Sequence, residues 1–194
     1  MDERRWDLAS VADGLTVSRI VLAAAIGISV AGDRLDISAV LLVVAWLTDL
    51  LDGIAARAAA GPTRLGNWDF RVDVTMGVSI LVGLVIVGRV PVWVVLSAVV
   101  LLGVWARIGG NPAPAMLFMA VVYAWYLLNL FVDKPALWWL PVAAIPVVLA
   151  IDWRRFSRTI LPAFFSGMAK LGDTELARER SPVLDEWAEN EEAG

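Results

Sequence analysis

The chain has 194 residues, 59% of them hydrophobic and 19% charged, with a mean hydropathy of +0.72. That balance excludes an ordinary soluble domain and a nucleic-acid binder, which would carry a basic patch in a polar context. There is no Cys and no His, so disulfides, thiol nucleophiles, imidazole bases and His-rich metal sites are excluded; the formal net charge of −4 reflects an acidic C-terminal segment.

Hydropathy predicts an all-α integral membrane protein with six transmembrane helices, since a span needs roughly 20 apolar residues. Residues 1–13, with early arginines and a Trp, are expected to form an interfacial amphipathic helix. The spans are expected at about 15–31, 36–59, 68–88, 90–108, 113–132 and 136–152, separated by AGDRLD, AAGPTRLGN, GRVP, RIGGNPAP and VDKPA. Residues 153–171 read as a second interfacial helix. Residues 172–194 read as an acidic, flexible tail, which leaves 1–171 as one membrane domain. Gly77, Gly83 and Gly88 are expected to ease helix packing. Most of the Trp residues, such as Trp93, Trp138, Trp139 and Trp153, fall near span ends and read as an interfacial belt.

An even number of spans places both termini on one side. On that topology only Arg34, Arg89 and Lys134 of the 16 Lys and Arg residues lie on the other side. The positive-inside rule then makes both termini cytoplasmic, in a cytoplasmic (inner) membrane.

The second and third spans carry the chemistry, in DLLDGIAARAAAGPTRLGNWDFRVD from Asp49 to Asp73. Carboxylates at membrane depth are expensive and are read first as functional. Asp49, Asp52, Gly53, Ala56 and Arg57 lie at helical offsets that share one face, and Asp69 and Asp73 share a face of the next helix. Two helices each offering a carboxylate pair can converge on a divalent metal, because hard cations such as Mg²⁺ take oxygen ligands and bridge phosphates. Other readings stay open for these residues. Asp49 and Asp52 could be ion-pair partners of Arg57 or Arg19, Asp69 and Asp73 could complement a helix dipole, and Gly66 could be a turn residue. Thr16, Ser18 and Arg19 could line a nucleotide site or serve helix packing, and Asp152 is expected to pair with Arg154 or Arg155.

The motif D-x2-D-G-x2-A-R-x8-G-x2-D-x3-D closely resembles the signature of the CDP-alcohol phosphotransferase family, also called CDP-alcohol phosphatidyltransferases. Asp49, Asp52, Gly53, Ala56, Arg57, Gly66, Asp69 and Asp73 match it. Two residues separate Gly66 from Asp69 where the family usually has three. The LTVSRIVLA opening of the first span is also family-like. The resemblance implies displacement of CMP from a CDP-linked lipid, such as CDP-diacylglycerol, by the hydroxyl of a polar alcohol. It implies Mg²⁺ or Mn²⁺ held by Asp49, Asp52, Asp69 and Asp73, with Asp73 also the general base. Gly53, Ala56, Arg57 and Gly66 would contact the nucleotide, Arg64 and Arg107 would meet an acceptor phosphate, and a homodimer is expected. The acceptor is left open among glycerol 3-phosphate, inositol phosphate, phosphatidylglycerol and others. Val72-Asp73-Val74 lacks the Lys that often follows the last Asp in members using glycerol 3-phosphate. An aspartate-rich membrane prenyltransferase and a small transporter with an acidic cation site are the alternative functions.

Overall fold

The computed structural model describes residues 3–58, 68–108 and 110–172, and their side chains except at 3–12, 56–58, 69 and 172. Every regular element among these residues is helical: α1 (Glu3–Ala31), α2 (Leu35–Ala58), α3 (Asp69–Ile86), α4 (Val92–Ile108), α5 (Ala113–Asp133) and α6 (Trp139–Ile151). A single turn, α7 (Trp153–Arg155), then leads through a π-helical turn (Phe156–Ile160) into α8 (Leu161–Gly172). Each of the six expected segments therefore forms a helix. Among the described residues, three stretches are long and apolar enough to cross a membrane: Asp13–Ala31, Leu35–Ala55 and Ala113–Asp133. α4 and α6 are apolar but shorter. At about 1.5 Å per residue, α6 reaches only ~20 Å.

Two details differ from the expectation. Residues 3–13 are not a separate helix but continue into the first span as one helix, which runs unbroken through the Asp13-Gly14 pair. α6 begins three residues later than expected. Pro135 follows Lys134, and the chain turns on bonds from the Leu137 and Trp138 N–H groups to the Lys134 carbonyl, at 2.8 and 3.1 Å. Residues 173–194, read as the acidic tail, lie outside the described residues.

α1 packs against α2 and α3, α3 against α5, α4 against α5, and α2 against α6. The core repeats at helical spacing: Ala23, Ile26 and Val30 on α1, Ala39, Leu42 and Ala45 on α2, Met76, Ile80 and Leu84 on α3, and Phe118, Val122, Tyr126 and Leu130 on α5. α1 and α3 approach closely. A Cβ on Gly83 would lie 2.7 Å from Val30, and one on Gly27 would lie 3.0 Å from Ser79. Small residues at a helix crossing allow this approach. Gly77 and Gly83 thus serve packing as expected, Gly77 against Phe118. Gly88 opens the expected GRVP turn rather than a helix crossing, with φ +68° and open space around it. Outward-facing Val21, Ile28, Val92 and Val132 are largely exposed, which suits a lipid environment.

Two turns share one capping pattern. After α1, Asp33 is left-handed (φ 59°), its N–H donates to the Val30 carbonyl, and the Arg34 N–H donates to Ser29 at 2.8 Å. After α3, Gly88 takes the same role, with the Arg89 N–H on Leu84 at 2.9 Å. These are Schellman ends.

Candidate active site

The buried stripe of α1 does not end in apolar residues. Continuing from Val30, Ile26 and Ala23 toward the N-terminus, it reaches Arg19 and Thr16, which are 0% and 2% exposed. Opposite them, the buried face of α2 runs from Leu42 and Ala45 to Asp49 and Asp52, and that of α3 runs from Met76 back to Asp73. One end of a three-helix packing seam is thus polar.

Arg19 is the centre of that end. Its Nη1 lies 2.7 Å from Asp49 Oδ1 and 3.5 Å from Asp52 Oδ2, and its Nη2 donates to Asp73 Oδ1. One guanidinium therefore bridges α2 and α3. The Thr16 hydroxyl donates to Asp52 Oδ2 at 2.8 Å. Asp52 is buried, whereas the side chains of Asp49 and Asp73 are 45% and 34% exposed, so the cluster opens on their side. Among the described side chains, counting Arg19 against the three carboxylates leaves two excess negative charges. Tyr123 of α5 lies within electrostatic reach of Asp73, Arg19 and Asp49. Trp46 and Tyr123 also meet edge to face, with ring centroids 5.8 Å apart.

The expected site residues divide as follows. Asp49, Asp52 and Asp73 come together. Asp69 is the first residue of α3, four before Asp73, but its side chain lies outside the described residues. Gly53 is half-buried on α2 beside Asp52. Ala56 and Arg57 continue α2, with side chains outside the described residues, and Arg64 and Gly66 lie wholly outside them. Arg107 is exposed in the last turn of α4. Ion pairing of Asp49 and Asp52 with Arg19, one of the open readings, is present. Asp152 pairs with Arg155, at 3.6 Å. Tyr123 was not among the expected residues; its place on an apolar span gave no spacing signal toward the Asp motif.

The CDP-alcohol phosphatidyltransferase family profile matches residues 9–152. The chain belongs to that family. The match runs from within α1 to the end of α6, and takes in Thr16, Arg19, Asp49, Asp52 and Asp73. No curated protein and no solved structure matches the chain. Membership makes the protein an enzyme of phosphotransferase type, transferring from a CDP-linked donor. Family members are generally metal-dependent. Among the described side chains, which omit Asp69, no group of three acidic residues forms a ready-made metal cage, because the carboxylates are turned onto Arg19. The donor set nonetheless fits a hard divalent cation: carboxylate oxygens only, converging on one positive group, with two negative charges in excess.

Proposed function

We propose that the protein transfers a phosphatidyl group from CDP-diacylglycerol to the hydroxyl of a small polar alcohol or alcohol phosphate, releasing CMP. The convergence of Asp49, Asp52 and Asp73 from α2 and α3 onto one cation, within a chain of this family, carries the reading. In this reading Asp49, Asp52, Asp69 and Asp73 hold Mg²⁺ or Mn²⁺, which when bound supplies charge neutralisation to the donor's diphosphate.

The remaining steps belong to the chain itself. Asp73 accepts the proton of the attacking hydroxyl, and with no His in the chain a carboxylate is the natural base. The alcohol oxygen forms a bond to the lipid-linked phosphorus as the bond from that phosphorus to the bridging oxygen breaks, and CMP leaves with that oxygen. Gly53 and Ala56, on the helix face of Asp52, allow the nucleotide close to the backbone. Arg57 and Gly66 complete the nucleotide contacts, and Arg64 and Arg107 meet an acceptor phosphate. Six membrane-crossing helices with cytoplasmic termini would put this end of the bundle at the cytoplasmic face, as the distribution of Lys and Arg favours. The reading includes a homodimer, for which the exposed apolar residues of α4, such as Val92, Leu96 and Val99, offer surface.

The test is CMP release from radiolabelled CDP-diacylglycerol by purified protein with Mg²⁺ or Mn²⁺ and a panel of alcohol acceptors. Metal-dependent release with one acceptor is expected. Absence of release with every acceptor, from folded protein, would refute the assignment of this donor.

A further inference from the structure

We propose that Arg19 is the resident counter-cation of the carboxylate site: it holds Asp49, Asp52 and Asp73 together while no divalent metal is bound, and metal must displace its guanidinium to enter. The proposal rests on the reading that these carboxylates hold metal, and it concerns a residue outside the Asp motif, on a different helix.

Three observations carry it. Arg19 is fully buried and reaches all three carboxylates, so its charge sits where their oxygens converge. Three carboxylates in a partly buried space repel strongly, and such a group persists only with a cation among them. The Asp49 and Asp73 oxygens engaged by Arg19 belong to the carboxylates that a hard cation would need, and two cations so close repel each other. Arg cannot relieve that repulsion by losing its proton. Its side chain has to move.

The rest of the cluster is arranged for such an exchange. Thr16 keeps its own bond to Asp52 Oδ2, so Asp52 stays anchored when the guanidinium withdraws. Asp49 and Asp73 are the partly exposed members, so an incoming ion meets them first. Arg19 is therefore a positioning residue. It keeps two helices in register for metal, and its hold and that of metal weaken each other reciprocally.

The experiment is Mn²⁺ binding to the full-length protein in detergent, read from the electron paramagnetic resonance of free Mn²⁺, for wild type, Arg19→Gln and Arg19→Lys. Loss of the competitor in Arg19→Gln is expected to tighten Mn²⁺ binding by at least about fivefold. Arg19→Lys, which restores the charge, is expected to bring the affinity back toward wild type. Equal or weaker Mn²⁺ binding by folded Arg19→Gln would overturn displacement and leave the metal reading standing. No Mn²⁺ binding by wild type would overturn both. If Arg19→Gln does not fold, ¹⁵N-arginine NMR of the wild type decides, with the Arg19 signal assigned by its loss in Arg19→Lys. A shift of that signal on adding Mg²⁺ is expected, and an unmoved signal would overturn the proposal.

Discussion

The bundle carries an arginine–carboxylate cluster at each end, and the two differ in burial and in charge balance. At one end Arg19 is 0% exposed and meets Asp49, Asp52 and Asp73. At the other, Arg89 is 26% exposed and joins Asp33, at 2.8 Å, to Asp133. That second cluster ties the α1–α2 turn to the α3–α4 turn and to the end of α5, and Trp125 adds an indole N–H bond to the Arg89 carbonyl at 2.8 Å. It lines an open cleft of about 470 Å³ with Leu35, Val132 and Lys134. With Lys134 beside it, two cations face two carboxylates and the charges balance. Among the described side chains around Arg19 negative charge is in excess. The same kind of contact is a clasp where charges balance near solvent, and in the proposed account an exchangeable one where they do not.

The comparison can be broken at either end. The largest effect is expected from Asp73→Asn, which removes the proposed base and should lower CMP release by about 10²–10⁴-fold with the thermal unfolding midpoint little changed. Unchanged turnover would remove Asp73 from the chemistry. Next, Arg19→Met leaves carboxylates without their buried partner and should destabilise metal-free protein by about 3–5 kcal/mol in thermal unfolding. A loss as small as that of a surface pair would show that Arg19 does not hold the seam. Gly83→Ala drives a methyl into Val30 and the Gly27 carbonyl, at 2.7 and 2.9 Å, where α1 meets α3. Overpacking of this kind should lower stability by about 1–3 kcal/mol; a neutral result would mean that α1 can shift freely against α3. The smallest effect belongs to Arg89→Gln, about 1 kcal/mol or less for a partly exposed ion pair. Turnover per folded molecule should stay at the wild-type level, and a deep loss of turnover would give that end a part in catalysis.

Much of this was legible in the sequence because hydropathy and helical spacing are local signals. The six helical segments follow from apolar runs and the Pro- and Gly-containing turns between them, and the Asp motif shares a face by spacing alone. The meeting of Arg19 with Asp73, 54 positions away, depends on how α1 crosses α3. The sequence did offer Arg19 as a partner of Asp49 and Asp52, but not its reach to Asp73. Arg89 was equally hidden, since Asp33 and Asp133 reach it from two different turns. Gly88 read both as a packing glycine and as the start of the GRVP turn, because spacing cannot distinguish a crossing point from a left-handed helix end. Asp33 takes the same left-handed conformation without being glycine, and its carboxylate on Arg89 is the tertiary contact that accompanies it.

The most direct test of the two-ended account is a matched pair, Asp49→Asn and Asp33→Asn, assayed for metal-dependent CMP release at equal amounts of folded protein. The account predicts that Asp49→Asn loses most of its turnover and needs more Mn²⁺, while Asp33→Asn retains both turnover and Mn²⁺ dependence. Equal losses in the two variants, or full activity in Asp49→Asn, would contradict it.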